Sequence, residues 1–227
     1  LKKIKSIWMK IAIDGTAASG KGTLSNLLSN KLKLPRLDTG LLYRKLAFIY
    51  IKSVKLISTK NTIDNSVLKT ILNDFDLNNL DPETLKQDLY GNFASRIGKL
   101  DFVRNKLKII QIEFVKSMTK KNGGCILDGR DIGTKILPNA NFKFFIDASL
   151  EIRAKRRLLE KNISFLHEND EKCMLQSLIR EMNERDKLDS IRTTSPLIPA
   201  IDAYVIDTSF IDADELLLKV TKIIEGI

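Results

Sequence analysis

A glycine-rich segment near the start of the chain combines the residue types that bind phosphate. Residues 15–23 read GTAASGKGT, follow the apolar run 11–13 and precede a helical pattern. Glycines let the backbone wrap closely around phosphate oxygens, while main-chain N–H groups and a helix N-terminus supply positive potential. Lys21 would reach the β- and γ-phosphates of a nucleoside triphosphate, and the Thr23 hydroxyl would lie near a metal ion. The segment therefore predicts a phosphate-binding loop (P-loop).

The spacing within this loop indicates the class of protein that carries it. Compared with the pattern G-x-x-x-x-G-K-[ST], Gly22 is inserted between Lys21 and Thr23. The resulting GKGT is typical of nucleoside monophosphate kinases. The residues expected to bind ATP are Gly15, Thr16, Ala17, Ala18, Ser19, Gly20, Lys21, Gly22 and Thr23.

Two later segments place polar groups just beyond predicted strands. Residues 37–44 read LDTGLLYR, and residues 127–134 read LDGRDIGT. In a parallel sheet, ligands bind at the carboxyl ends of the strands, so these groups would face a ligand. Asp128 ends its predicted strand and could hold Mg²⁺ through water. Thr23 and Asp128 are therefore the candidate metal-binding residues.

The four ordered motifs GTAASGKGT, LDTGLLYR, LDGRDIGT and ERDKLDSIR (184–192) closely resemble those of bacterial cytidylate kinases, and the resemblance covers the chain from Met9 onward. The last three motifs carry it, because adenylate kinases share the first. The resemblance implies ATP-dependent phosphorylation of CMP and dCMP to CDP and dCDP in pyrimidine nucleotide metabolism, with Mg²⁺ as cofactor. It also implies one kinase domain over 1–227, with an acceptor-binding lobe at about 39–105 and a lid at about 153–175.

The resemblance also implies roles for individual residues. Arg44, Arg130 and Arg192 would hold the α-phosphate of the acceptor. Arg185 and Asp189 would bind its ribose, and three further residues would read cytosine. The full set expected to bind CMP is Asp38, Thr39, Arg44, Ser95, Arg104, Arg130, Asp131, Arg185, Asp189 and Arg192, of which Ser95, Arg104 and Asp131 contact the base.

The chemistry of cytosine is consistent with this assignment. Its edge offers an N4 amino donor beside the N3 and O2 acceptors, which suits an acid or hydroxyl together with an arginine. Uracil would present O4 to Asp131, and a site that leaves buried groups unpaired discriminates strongly. Arg185, Asp189 and Arg192 would share one helical face if the helix extends that far, although an exposed ion pair has the same spacing.

Three arginines at 153, 156 and 157 have the i, i+3, i+4 spacing of a compact cationic face. In the resembling family this segment is a lid that closes over ATP; a solvated basic face is the alternative. No general base is needed, because the acceptor phosphate is itself an anionic nucleophile, and catalysis is positioning and charge neutralisation. The candidate catalytic residues are Lys21, Arg130, Arg157 and Asp128.

Short apolar runs alternate with helical patterns, as in a parallel sheet covered by helices. We expect an α/β protein with the three-layer P-loop kinase fold, in which a five-stranded parallel sheet is flanked by helices, with a small acceptor-binding lobe and a short lid. The stretch 58–81, rich in Asn and Asp, would be a mobile lobe. The predicted strands are 10–14, 34–37, 125–128, 142–146 and 204–207, and the predicted helices are 20–32, 41–53, 82–98, 101–119, 150–161, 171–188 and 212–225.

Lys and Arg total 38 against 28 Asp and Glu, a formal net charge of +10, which suits nucleic acid, a membrane surface or small anionic substrates. Many lysines fall on predicted surface helices, whereas most arginines lie in or near the motifs. Because Arg is the better bidentate phosphate ligand, this placement favours small phosphorylated substrates. We expect ATP and CMP or dCMP as partners, no nucleic acid, no membrane and a monomer.

Other functions remain compatible with the P-loop. The acceptor could be UMP, AMP or a non-nucleotide, although Asp131 with Arg104 favours cytosine. A nucleic-acid-binding ATPase would instead show polyanion-stimulated ATP hydrolysis with strong salt dependence. A kinase would show little turnover until a monophosphate is added.

Cysteine content and apolar runs indicate the cellular setting. Cys125 and Cys173 are the only cysteines, and neither has the spacing of a metal ligand, which fits a reducing cytoplasm. No apolar run approaches the roughly 20 residues that cross a bilayer. Because Met9 directly precedes the first predicted strand, we expect residues 1–8 to be an upstream start or an added extension.

Overall fold

A parallel β-sheet forms the centre of the fold. The computed structural model describes residues 8–54, 63–78, 81–161, 163, 167–192 and 194–226, so the expectation for residues 1–8 lies almost wholly outside the described part. The strands are β1 (Met9–Gly15), β2 (Arg36–Asp38), β3 (Gly124–Gly129), β4 (Phe142–Asp147) and β5 (Tyr204–Asp207). The five-stranded sheet has the order β2-β3-β1-β4-β5, which confirms the predicted strands and fold class.

The register of β1 explains why its apolar run is continuous. Ile13 lies opposite Asp128 of β3 and opposite Phe144 of β4, both in parallel pairing. A strand with neighbours on both sides and helices over both faces is buried throughout, and Ile11 to Ile13 are fully buried. Because β1, β3 and β4 run parallel, the residues that follow them meet at one edge of the sheet.

Most helices confirm the predicted segments to within three residues at each end. The exceptions are an additional helix in the stretch expected to be a mobile lobe, a split of the predicted helix 82–98, and a short π-helical segment at Ile132–Ile136. The helices are α1 (Lys21–Leu32), α2 (Thr39–Val54), α3 (Asn65–Asn73), α4 (Pro82–Leu85), α5 (Asp88–Ile97), α6 (Asp101–Asn122), α7 (Leu150–Glu160), α8 (Glu168–Ser190) and α9 (Ala213–Glu225).

The split between α4 and α5 has a visible cause. Gln87 has extended backbone with ψ 143°, and the Arg44 guanidinium donates to the carbonyl oxygens of both Leu85 and Gln87 at 3.1 Å. These carbonyls are therefore bound by a side chain, and a single helix over 82–98 is wrong. Helix periodicity alone does not reveal such a contact with a residue more than 40 positions earlier.

The α3 helix was missed because polar residues dominate its segment. Its start is capped by Asp64, whose carboxylate accepts from the backbone N–H of Ser66 and Val67. Leu68 and Leu72, four positions apart, are buried on one face. The remainder of the stretch 58–81 includes residues 58–62 and 79–80, which lie outside the described residues.

The chain forms two compact units, residues 1–37 with 118–227 and residues 38–117. In the first, β1, β3, β4 and β5 pack with α1 and α9. Its apolar core includes Ile11, Ile13, Leu24, Leu28, Ile126, Phe144, Ile146, Ile206, Leu216, Val220 and Ile224. The second unit contains α2 to α5, and Tyr50 of α2 stacks on Phe93 of α5 with ring centroids 5.0 Å apart. The acceptor-binding lobe predicted at about 39–105 and the lid stay predictions.

No helix in the described ranges is long and apolar enough to span a bilayer.

Two leucines of α9 test the assignment of the core. Leu216 is 3% exposed and Leu218 is 53% exposed, so the same substitution probes burial within one helix. We expect Leu216→Ala to lower the free energy of unfolding by about 2–5 kcal/mol, because a buried cavity forms. Leu218→Ala should change it by less than about 0.5 kcal/mol. Urea unfolding followed by circular dichroism measures both, and equal losses would contradict the packing of α9.

Candidate active site

Two glycines shape the loop between β1 and α1. Gly15 has φ 153°, and a Cβ there would lie 2.0 Å from the carbonyl oxygen of Ile146 in β4. Gly20 has φ 95° and caps the N-terminus of α1. A larger residue at position 15 would collide with the neighbouring strand, and one at position 20 would be strained. These two glycines therefore allow the backbone to turn sharply after β1 and to enter α1.

The carbonyl oxygens of this loop are bound by side chains from several elements. Lys21 Nζ donates to Thr16 O at 3.0 Å, and Thr208 Oγ1, which follows β5, donates to Ser19 O at 2.8 Å. Arg153 Nη1 reaches Ala17 O at 3.4 Å. A loop whose carbonyls are held in this way offers its N–H groups to an anion, as phosphate-binding loops do.

The three arginines of α7 do not form a shared solvated face. Arg153 is buried; its Nε donates to Ala148 O at 2.9 Å and its Nη2 lies 2.7 Å from Asp186. Arg156 Nη1 donates to the hydroxyl oxygen of Thr208, and Arg156 Nη2 donates to the carbonyl oxygen of the same residue. Arg153 and Arg156 also donate to the P-loop carbonyls of Ala17 and Ser19, so the alternative of a solvated basic face is wrong for these two arginines. The lid role of the segment stays a prediction.

Arg157 has a different ion-pair partner from Arg153. Its Nη1 pairs with Glu160 one turn later at 2.9 Å, and both side chains are partly exposed. The catalytic role expected for Arg157 stays a prediction.

Asp128, at the end of β3, is 2% exposed, and its carboxylate accepts hydrogen bonds from two side chains. Its Oδ2 accepts from Ser25 Oγ at 2.7 Å and from Arg36 Nε at 2.8 Å. Sequence reasoning missed Ser25 and Arg36. The only signals were their positions, two residues after the loop and one residue before the LDTG motif. Thr23, in the first turn of α1, is exposed.

A second cluster lies around the end of α8. Asp189 is 6% exposed and forms ion pairs with both Arg130 and Arg192, the second at 2.5 Å. The α8 helix extends to Ser190, so Arg185 and Asp189 lie on it and Arg192 is the second residue after its end. The structure brings these predicted residues together, and the burial of Asp189 excludes the alternative of an exposed ion pair.

Positive charge exceeds negative charge in this cluster. Burial, followed by the neighbouring cations Arg185 and Arg192, lowers the pKa of Arg130 to about 10, although Asp189 acts in the opposite direction. Within the described part of the chain, Arg185 Nε and Arg192 Nε are buried and have no hydrogen-bond partner. Buried cationic donors without partners cost free energy, so their arrangement suits an anion such as phosphate.

The aspartate that precedes the loop contacts the LDGRDIGT segment. Asp14 is 4% exposed, and its two carboxylate oxygens accept from the N–H groups of Ile132 and Gly133, each at 2.7 Å. Burial raises the pKa of Asp14 to about 7, despite the two N–H donors and Lys21, which lower it. Asp131, predicted to read cytosine, directly precedes these donors.

Five predicted acceptor residues belong to the second unit. Asp38 Oδ1 accepts from Leu41 N at 3.3 Å, and Arg104 Nη1 donates to Gly98 O at 3.2 Å. Arg44 binds the carbonyls at the α4–α5 break. Thr39 is buried and Ser95 is half-buried. The predicted acceptor residues thus fall into one set in each unit, and their joint role stays a prediction.

Comparison with known proteins identifies the family. A family model for cytidylate kinase matches residues 11–226. The chain belongs to the cytidylate kinase family. A cytidylate kinase from Rickettsia felis is 38% identical over 217 residues, which are 95% of this chain and 91% of the relative. Another from Xanthobacter autotrophicus is 38% identical over 218 residues, covering 96% and 98%.

A solved structure supports the fold alone. An uncharacterized protein from Eubacterium ventriosum has a TM-score of 0.51 and 14% sequence identity, and the alignment covers 96% of this chain and 99% of that one.

Membership of the cytidylate kinase family implies nucleotide substrates and a divalent metal ion. The residues present fit such an ion only in part. Thr23 and Asp128 offer oxygen donors, but the described residues contain no group of three or more His, Cys, Asp or Glu that could hold a metal. A cation bound mostly by nucleotide phosphates and water, with one or two protein oxygens, matches this donor set.

The raised pKa of Asp14 predicts a pH dependence of stability. Between its ordinary value of 3.8 and about 7, the folded protein holds this proton more tightly than the unfolded chain. The resulting stabilisation is complete below about pH 4 and is lost as the pH rises through 7. We expect Asp14→Asn to lose less unfolding free energy than the unaltered protein between pH 5 and 8, measured by urea unfolding.

Asp212→Asn is the matched control, because Asp212 is an exposed helix cap that also accepts two backbone N–H groups. Its pH profile should follow that of the unaltered protein. Parallel profiles for all three proteins would show that Asp14 does not titrate in this range.

Proposed function

We propose that this protein transfers the γ-phosphoryl group of ATP to the phosphate of CMP or dCMP, giving CDP or dCDP. The observation that carries the proposal is the buried arginine cluster, in which Arg185 Nε and Arg192 Nε have no partner within the described residues. It lies in the same unit as the P-loop. A loop for the donor phosphates and a cationic site for an acceptor phosphate are what phosphoryl transfer between nucleotides requires. The relatives named cytidylate kinase support CMP as the acceptor.

The donor is held by the loop 15–23. Its N–H groups and the N-terminus of α1 would bind the β- and γ-phosphates, and Lys21 would neutralise the charge that develops during transfer. Lys21 Nζ is near this position already, since it donates to Thr16 O within the loop. Arg153, Arg156 and Thr208 keep the loop carbonyls bound while the phosphates enter.

The acceptor phosphate is held by arginines. Arg130 and Arg192 share Asp189 as a counter-ion, and a phosphate dianion would balance the excess positive charge around them. Arg44 of the second unit is proposed as the third phosphate ligand. Arg185 and Asp189 would bind the ribose. For the base, Asp131 would accept from the cytosine N4 amino group, with Arg104 and Ser95 on the remaining edge.

Mg²⁺ is the proposed metal ion, with Thr23 and Asp128 as its protein oxygens, the second through water. When bound, it would neutralise charge on the transferring phosphoryl group. The chain's own residues would supply the remaining charge neutralisation and the positioning of the substrates. No side chain needs to remove a proton, because the phosphate of CMP is an anionic nucleophile, so Lys21 and the arginines act by positioning and electrostatic stabilisation.

Arg157 and the segment that follows α7 are proposed to close over ATP. Closure would exclude water and so suppress hydrolysis of ATP in place of transfer. We further propose that the protein acts as a monomer on small nucleotides, without nucleic acid or membrane, in the cytoplasm, as part of pyrimidine nucleotide metabolism.

A coupled assay of ADP release tests the proposed function. With ATP and Mg²⁺, turnover should depend on CMP or dCMP and be weak with UMP, AMP or GMP. Lys21→Ala and Arg192→Ala should each lower kcat/KM by about 10²–10³, the cost of removing one charge-stabilising donor. The control Lys155→Ala alters an exposed residue of α7 and should leave the rate unchanged. Turnover stimulated by single-stranded RNA but not by monophosphates would refute the proposal.

Asp131→Asn tests how the base is read. An asparagine can donate its amide N–H to uracil O4, whereas the carboxylate favours the N4 amino group of cytosine. We expect the ratio of kcat/KM for CMP to that for UMP to fall at least about tenfold, because a matched hydrogen bond is exchanged for a mismatched one. Steady-state kinetics with both acceptors give this ratio. An unchanged ratio would assign base recognition to other residues.

A further inference from the structure

Asp14 connects two segments that are far apart in the sequence. It is the residue immediately before Gly15, where the P-loop begins. Its carboxylate binds the backbone N–H groups of Ile132 and Gly133, one oxygen to each, both at 2.7 Å. These donors open the π-helical segment Ile132–Ile136, which directly follows Arg130 and Asp131. Short π-helical segments are frequent at functional sites.

The contact depends on a close approach of backbone to carboxylate. A Cβ at Gly133 would lie 3.3 Å from Asp14 Oδ2 and 3.3 Å from Lys143 Cδ, which is tighter than ordinary packing. Glycine at this position therefore allows the segment to approach Asp14.

Burial makes an ionised acid at this position costly for stability. Asp14 is 4% exposed; its ionised form is favoured by the N–H groups of Gly133 and Ile132 and, less strongly, by the charge of Lys21. Burial disfavours its ionised form and raises its pKa to about 7. Burying an ionised carboxylate costs folding free energy that burying an uncharged side chain would not. The two hydrogen bonds also fix the position of the segment that begins at Ile132.

We propose that Asp14 is a positioning residue for the acceptor, because its carboxylate fixes the backbone that follows Arg130 and Asp131 relative to the start of the P-loop. Asp14 would then connect the donor site and the acceptor site. Its backbone continues into the loop that binds the donor phosphates, and its side chain holds the segment proposed to bind the acceptor phosphate and base. This inference rests on the proposed function.

Asp14→Asn separates positioning from a purely structural role. The amide oxygen of asparagine can accept one of the two N–H groups, but its NH₂ group would face the other donor. The segment that begins at Ile132 should therefore shift. The free-energy cost of burying a charged carboxylate should disappear. Positioning predicts weaker acceptor binding in a protein that is as stable as the unaltered one or more so. A structural role predicts lower stability and equal losses for both substrates.

The experiment measures KM for CMP, KM for ATP and Tm at pH 8 for the unaltered protein and Asp14→Asn. We expect KM for CMP to rise at least about tenfold, the equivalent of one lost hydrogen bond. KM for ATP should stay within about twofold and Tm should not fall. Asp212→Asn, the same chemical change at an exposed helix cap, should leave all three values unchanged.

Gly133→Ala provides a second route to the same contact if Asp14→Asn does not fold. Its methyl group would push against Asp14 Oδ2, so KM for CMP should again rise more than KM for ATP. Equal changes in both KM values, or no change in either, in the variant that folds would overturn the inference while the kinase assignment stands. Absence of CMP-dependent turnover in the unaltered protein would instead refute the proposed function, and the inference with it.

Discussion

A loop can bind phosphate through its N–H groups only while its carbonyl oxygens are turned away from the anion. Here the carbonyls of Thr16, Ala17 and Ser19 are held by side chains from three separate elements. The parallel sheet makes this possible, since the residues that follow β4 and β5 meet the loop at the carboxyl edge of β1. The loop is therefore shaped before any ligand arrives, and little ordering entropy remains to be lost on binding.

Charge around the loop is arranged for a ligand more than for stability. The cluster around Asp189 holds more cations than anions, and two of its buried nitrogens have no partner among the described residues. Asp14 presents the opposite case, a buried carboxylate whose two hydrogen-bond donors are neutral N–H groups. Both arrangements lower the stability of the unliganded fold. Binding of an anionic nucleotide would relieve the first, and the second is proposed to hold in place the segment that begins at Ile132.

Several features could be predicted because they depend on neighbouring residues. The five strands were predicted from short apolar runs ending in turn residues, and the helix beginning at Lys21 from the glycines before it. Other features depended on contacts across the fold. Arg44 binds the carbonyls that separate α4 from α5, and the buried Arg153 pairs with Asp186 of α8, so helical spacing alone could not indicate either outcome.

The sequence by itself determined the phosphate-binding loop, the parallel α/β fold and the family, because each is encoded in contiguous motifs with a fixed order. Only the tertiary structure decided which partner each charged side chain has. Asp14 binds Ile132, Ser25 and Arg36 bind Asp128, and Thr208 binds Ser19 across separations of about 90 to 190 residues. Burial and pairing of these groups follow from how strands and helices pack, and no local window of sequence contains that information.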